Sequence, residues 1–319
     1  MSPRVDIIIP TFNGWMLLER CLRSLREQRF QDFRIIVVDD ASTDGTVERL
    51  HAQWPVVQVL ALTENVGLAT AVDLALQASD AELIALLNND TDPDPEWLGQ
   101  LVAAIDRHPE AGAVTSKLKL FDRRTHIHSA GDTYARSGRP GNRGVWQEDV
   151  GQFDQEEEVF GACAGAALYR RAALDAAAEI DGDVLDRDFF MYCEDVDLSW
   201  RLRLLGYSIV YAPQAIVYHE LSATGGGPLA SYYVARNTIA VIVKDVPSAL
   251  LRKNAFRIFA EQVRLLIGTL PHLREPAARA RIRGTFAAVA LLPKMLAKRR
   301  RIQQRSRVDP HEIERLLLP

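Results

Sequence analysis

Residues 5–10 read VDIIIP and residues 34–40 read RIIVVDD. Each is a short β-branched apolar run, closed by a proline in one case and by two acids in the other. Neither alternates polar with apolar positions, so both read as strands buried on two faces of a parallel sheet. Between them Leu17, Leu18, Cys21, Leu22 and Leu25 recur at helical spacing. After the second run, Ser42, Thr43 and Asp44 offer caps for a helix through Val47 and Leu50. Working outward, residues 56–62 predict a strand, 68–78 a helix and 82–88 (ELIALLN) another strand. This alternation predicts an α/β fold: a Rossmann-like, mainly parallel sheet flanked by helices, with ligands beyond the carboxyl ends of its strands.

Farther along, residues 115–159 are rich in Gly, Arg and Asp and predict irregular strands and loops. Order returns at 159–169. A helix is expected over 195–205, then two short strands at 207–212 and 215–219. The helix at 231–243 opens a helical C-terminal part that includes 255–270 and 285–301. A boundary near residue 245 would divide a catalytic unit, 1–245, from a basic amphipathic region, 246–319.

The chain has 319 residues, 48% apolar and 25% charged, which excludes a disordered or collagen-like protein. Three cysteines without a CxxC pair argue against a disulfide framework or a structural zinc site and fit a reducing compartment. No run of 18 apolar residues occurs and the first ten residues lack signal-peptide features, so a cytoplasmic location is expected. The net charge of −4 hides a division: residues 251–319 hold 16 basic and 5 acidic residues, against 22 and 37 in the first 250. The acidic body suits metal and sugar chemistry, and the basic tail suits an anionic surface.

Four polar clusters fall at the ends of expected strands. Pro10, Thr11, Asn13 and Gly14 form either an ordinary turn or the wall of a base or ribose site. Asp39 and Asp40 precede helix-capping residues and can also accept a hydrogen bond from a base or ribose. Asn88, Asn89, Asp90, Thr91 and Asp92 make either a solvated acidic turn or a site where carboxylates share a hard cation with substrate phosphates. Glu194, Asp195 and Asp197 begin a helix beside Trp200. Three acids there exceed what a helix dipole needs, and a carboxylate so placed can act as general base. His219 is either a structural histidine or a nitrogen ligand to a cation held by Asp90 or Asp92. Gly225, Gly226 and Gly227 make a mobile lid or a linker, and Arg236 a diphosphate contact or a surface ion-pair residue.

The motifs IIIPTFNG (7–14), VVDDASTDGT (37–46), ENVGLATA (64–71), LLNNDTDPDPEWL (86–98), GACAGAALYRR (161–171), FMYCEDVDLSWRLRLLGY (190–207) and YYVARN (232–237) follow one another along three quarters of the chain. In these the chain resembles the family 2 glycosyltransferases of GT-A fold, most closely their rhamnosyltransferase-like branch. The resemblance implies that Asp39 binds the nucleobase, with Pro10, Thr11, Asn13, Asn65, Gly67, Asn89 and Arg236 at the nucleotide. It implies Asp90 as metal ligand, with Asp92 and His219 as further ligands for Mg²⁺ or Mn²⁺. Asn88 stands where a strict DxD motif has its first acid, which leaves the part of Asp92 open. It implies Asp195 as catalytic base and Glu194 and Trp200 on the acceptor side.

The expected activity is inverting transfer of a sugar, rhamnose from dTDP-rhamnose first and a UDP-sugar second, to a glycan or lipid-linked acceptor. A nucleotidyltransferase and a non-catalytic nucleotide-sugar-binding or scaffold protein are the competing classes. The first lacks its early Gly-rich phosphate loop here, and intact Asp90 and Asp195 count against the second. The tail, residues 251–307, is expected either to lie on a membrane surface as an amphipathic anchor or to close the catalytic unit or join a second subunit. It carries no recognised nucleic-acid module.

Overall fold

The computed structural model describes residues 2–221 and 226–319. Gly225 of the expected lid lies outside the described residues. The first half alternates β1 (Val5–Thr11), α1 (Trp15–Arg26), β2 (Phe33–Asp39), α2 (Thr46–Gln53), β3 (Gln58–Ala61), α3 (Leu68–Gln77) and β4 (Leu83–Leu87). β5 (Thr91–Pro93), α4 (Trp97–Arg107), β6 (Ala111–Leu120), β7 (Ile127–Ser129), β8 (Asp132–Tyr134), β9 (Pro140–Asn142) and β10 (Glu157–Glu158) follow. Then come β11 (Ala166–Arg170), α5 (Arg171–Asp181), α6 (Glu194–Leu204) and β12 (Ser208–His219). Four helices end the chain: α7 (Gly227–Lys244), α8 (Ser248–Thr269), α9 (Pro276–Gln304) and α10 (Pro310–Glu314).

The main sheet runs β10-β12-β6-β11-β4-β1-β2-β3. β3, β2, β1 and β4 are parallel; β11 is inserted antiparallel between β4 and β6, and β12 lies parallel to β6. Successive side chains of a strand point to opposite faces. Thus Ile8, Ile36, Ile84 and Leu86 pack with α3, α5 and α6 on one face, and Ile7, Ile9, Val37 and Leu87 pack with α1 and α4 on the other. Both faces are covered, which is why residues 7–9 of β1, 35–38 of β2 and 83–87 of β4 are apolar on both sides. The order reverses at β1, whose neighbours are β2 and β4, and this opens a crevice beyond their carboxyl ends.

Two expectations are corrected. Residues 115–120 are not irregular: they complete the ten-residue strand β6. The two short strands expected at 207–212 and 215–219 are one strand, β12, paired with β6 on either side of a register shift between Ala212 and Ile216. The shift contains Pro213, which has no N–H for the ladder, and a bulge accommodates it without ending the strand.

The boundary expected near residue 245 falls in the turn between α7 and α8, and α9 returns across it to pack along α7. At the crossing, Gly284 lies so close to α7 that a Cβ there would sit 2.2 Å from the Tyr232 carbonyl oxygen. Backbone cannot swing aside as a side chain does. Gly284→Ala is therefore expected to lower stability by about 1–3 kcal/mol through overpacking, read as a lower urea midpoint.

Candidate active site

At the β1–β2 side of the crevice, Asp39 ends β2 with its Oδ1 accepting the Ser42 N–H (2.8 Å), while its buried Oδ2 has no hydrogen-bond partner. An unpaired buried acceptor is costly unless a ligand donor completes it. The neighbouring Asp40 accepts the Val66 and Gly67 N–H groups at 2.8 and 3.0 Å and so holds the 64–67 loop. Asn13, at φ +50°, accepts from the Thr43 N–H (2.7 Å), and the Asn89 amide donates to Thr11 Oγ1 (2.9 Å). These two asparagines thus brace the turns. Asn65 is exposed. Gly67, at φ +85°, faces the Phe190 ring so closely that a Cβ would lie 2.3 Å from it; that packing requires glycine here. Of these residues Pro10 alone lines the cavity described next.

The cavity, about 580 Å³, joins the ends of β4 and β12 to the start of α6 and to α7. β5 pairs with β12 so that Thr91 faces His219. This brings Asp90 Oδ1 within 3.0 Å of His219 Nε2, and both side chains line the cavity. Asp92 points elsewhere: it pairs with Arg124 at 2.8 Å and does not line the cavity. His219 Nδ1 meets Nδ1 of His128, on β7, at 3.0 Å. Burial, with the neighbouring His219, lowers the His128 pKa to about 3, so its ring is neutral. Sequence reasoning missed His128 because β7 is three residues long in a segment without periodicity.

The loop before α6, which also lines the cavity, is strained. Phe190, Tyr192 and Cys193 all adopt φ near +65°, which non-glycine residues rarely do. Two α7 residues hold it there. The Asn237 amide donates to the carbonyls of Phe189, Met191 and Tyr192 (3.0, 2.9 and 2.7 Å), and Arg236 Nη2 to those of Asp188 and Phe189 (2.7 and 2.8 Å). The geometry therefore gives Arg236, expected at the diphosphate, the task of shaping the loop that presents Glu194 and Asp195.

Asp195 lines the cavity and accepts the N–H groups of Val196 (2.8 Å) and Ala164 (3.4 Å). Burial raises its pKa against those hydrogen bonds. Glu194, more deeply buried and beside Asp195, rises to about 8 and holds its proton at neutral pH. Asp132, on β8, is a third cavity acid that the sequence did not single out; burial and then the Asp195 charge push it well above the ordinary carboxylate range. Burial likewise keeps the Cys163 thiol protonated.

One further expectation fails here. Trp200 is fully buried against Tyr134 and Phe160 and has no acceptor side to face. Asp197 is equally buried, paired with Arg201 (2.7 Å) and Lys244 (2.5 Å). Helical spacing turns Asp197 and Trp200 inward while Asp195 looks into the cavity. Among the described residues two acid clusters are compact enough for a cation: Asp181, Asp186 and Asp197, already neutralised by Lys244, and Asp132, Cys163 and Asp195.

A parallel sheet with a crevice at the β1 switch point, a carboxylate–imidazole pair after β4 and an acid at the start of α6 defines an enzyme of the GT-A class, a glycosyltransferase. The chain belongs to glycosyl transferase family 2, whose family description matches residues 6–177, more than half of it. It is 28% identical over 258 residues, 74% of this chain and 82% of the relative, to N-acetylglucosaminyl-diphospho-decaprenol L-rhamnosyltransferase of Mycobacterium tuberculosis. Among solved structures, a Pyrobaculum calidifontis mannosyltransferase in complex with GDP-Man and Mn²⁺ matches 98% of this chain and 86% of its own, with TM-score 0.56 and 20% identity. GalNAc-T7 with UDP, GalNAc and Mn²⁺ matches 76% of this chain and 48% of its own, with TM-score 0.61 and 15% identity. At such identities these two likenesses concern the fold.

Proposed function

We propose that the protein is an inverting glycosyltransferase that moves a sugar, in the first instance rhamnose from dTDP-rhamnose and in the second the sugar of a UDP-sugar donor, to a hydroxyl of a glycan or lipid-linked acceptor in cell-envelope polysaccharide synthesis. The observation that carries this is a single cavity lined by Asp90, His219 and Asp195. The rhamnosyl donor and lipid-linked acceptor are supported by the likeness to the mycobacterial rhamnosyltransferase.

Asp39, through its unpartnered Oδ2, accepts a hydrogen bond from the nucleobase. Asp195 accepts the proton of the acceptor hydroxyl as that oxygen attacks the anomeric carbon from the face opposite the leaving diphosphate, so configuration inverts. Neutral Glu194 beside it leaves Asp195 the charged member of the pair. Asp90 and His219 offer one carboxylate oxygen and one imidazole nitrogen, a donor set that fits Mn²⁺ with substrate phosphate completing the shell. A divalent cation held there supplies Lewis-acid stabilisation of the departing diphosphate.

No described helix is long and apolar enough to cross a membrane. Phe256, Phe259, Ile267, Phe286 and Val289 are nonetheless exposed on α8 and α9 among many arginines, which supports peripheral contact with the anionic inner face of the cytoplasmic membrane.

The test is transfer by purified protein from dTDP-rhamnose, UDP-sugars and GDP-sugars to a synthetic N-acetylglucosaminyl-diphospho-lipid, with Mn²⁺, Mg²⁺ or EDTA. The expected result is transfer from one of the first two donor classes, abolished by EDTA, giving a product of inverted anomeric configuration. Transfer that EDTA leaves intact would remove the cation, and a retained configuration would remove the single displacement.

A further inference from the structure

Two histidine rings meet at the cation-binding corner of the cavity, and both nitrogens of His219 are engaged. Its Nε2 lies 3.0 Å from Asp90 Oδ1 and its Nδ1 lies 3.0 Å from His128 Nδ1. The ring centroids are 4.8 Å apart and the planes are tilted by 46°, so the contact is a nitrogen-to-nitrogen hydrogen bond and no face-to-face stack. His128 is buried on β7, which is registered on β6 through Ser129 opposite Leu118 and Ile127 opposite Lys119. His219 ends β12, on the other side of β6. Two different strands thus fix the two rings.

A neutral imidazole carries one N–H, and a hydrogen bond between two Nδ1 atoms needs one of them protonated and the other bare. In one arrangement His128 Nδ1–H donates to His219, whose own proton is then on Nε2 and is donated to Asp90; that nitrogen has no lone pair for a cation. In the other, His219 Nδ1–H donates to the bare Nδ1 of His128, whose proton sits on Nε2. His219 Nε2 then presents its lone pair beside the Asp90 carboxylate.

The geometry points to His128 as a positioning residue: by accepting the hydrogen bond from His219 Nδ1, it holds His219 in the tautomer whose Nε2 binds a divalent cation together with Asp90. Exchange between the two arrangements moves one proton from Nε2 to Nδ1 on His219 and one from Nδ1 to Nε2 on His128, with no change in total charge. The inference rests on the proposed role of Asp90 and His219 as the cation pair. Outer partners of metal-binding histidines fix ring and tautomer in this way.

The test uses the full chain with Mn²⁺ alone as probe, its Kd measured by electron paramagnetic resonance of the free ion. Parent, His128→Leu, His128→Asn and His219→Ala are compared. His128→Leu is expected to weaken Mn²⁺ binding about 10–100-fold. His128→Asn, whose Oδ1 can stand where Nδ1 stood, is expected to restore most of it. Long-range proton–nitrogen spectra of histidine-labelled parent saturated with Mg²⁺ should report His219 as the Nδ1–H form, which a purely structural role for His128 would not require. Equal Kd in parent and His128→Leu, with weaker binding in His219→Ala, would overturn this inference alone. Equal Kd in parent and His219→Ala would overturn the cation pair with it. An Nε2–H form of His219 in the Mg²⁺-saturated parent would also overturn it, and that measurement needs no variant to fold.

Discussion

Replacing Asp195 with Asn is expected to lower kcat by about 10²–10⁴-fold while leaving binding of nucleotide and Mn²⁺ close to that of the parent, because general-base catalysis contributes a factor of that order. Asn keeps the shape and one oxygen to accept the Val196 N–H, but it cannot take a proton from the acceptor. The fold should hold, since the change removes one charge from a wall that also carries Glu194 and Asp132. The parent makes the same point through its pH dependence. Burial raises the Asp195 pKa, so as pH falls the carboxylate is protonated before an ordinary aspartate would be. Activity should therefore decline on the acid side at a pH above the usual carboxylate range of about 4. A kcat/KM profile, with calorimetric titration of the nucleotide into both proteins, checks this. An Asp195→Asn enzyme that transfers sugar at the parent rate would transfer the role of base to another cavity acid, Asp132 first.

The parallel half of the sheet was legible because its signals are local. Residues 7–9 and 35–38 are apolar throughout, since both faces of β1 and β2 are covered, and strand and helix follow within short loops. Asp39, Asp90, Asp195 and His219 stand at ends of elements, where sequence pattern and chemistry coincide. What failed depended on contacts remote in sequence. β12 reads as two strands until its partner β6 is known to run past the bulge at Pro213. Asp92 has the right spacing for a ligand, but it pairs with Arg124 outside the cavity. Trp200 and Arg236 lie in the right motifs, yet one packs into the core and the other grips loop carbonyls, because a helix face cannot be assigned before its neighbours are. His128 and Asp132 come from strands of three residues, too short to show a period.

Lys244→Met is expected to destabilise the protein by about 3–5 kcal/mol, the cost of leaving a buried charge cluster without its partner. Lys244 ends α7 and has no solvent exposure. Its ammonium pairs with Asp181, with Asp186 (2.6 Å) and with Asp197 (2.5 Å). Burial alone would lower its pKa, but Asp197, Asp186 and Asp245 hold it above the ordinary lysine value. Arg201 offsets Asp197, and Lys298 of α9 reaches Asp186 at 2.5 Å and Asp188 at 3.0 Å. The cluster thus ties α5, α6, α7 and α9 to the Arg187–Phe189 turn, which leads into the strained loop before Glu194. Two further expectations separate charge from lost packing. Adding Asp197→Asn to Lys244→Met should recover part of the loss, because it removes one of the stranded carboxylates. Asp186 and Asp197 are both held below the ordinary carboxylate range against burial, Asp186 by Lys244 and then Lys298, Asp197 by Arg201 and then Lys244. Their contribution is therefore present above the unfolded-state pKa of about 4 and is lost as pH falls through the folded values, so the parent's advantage over Lys244→Met should narrow in acid. Urea unfolding of the three proteins at neutral and acid pH reads each of these. A Lys244→Met midpoint equal to the parent's would mean that the carboxylates take up protons without cost, or that Arg201, Lys294 and Lys298 hold the cluster without Lys244.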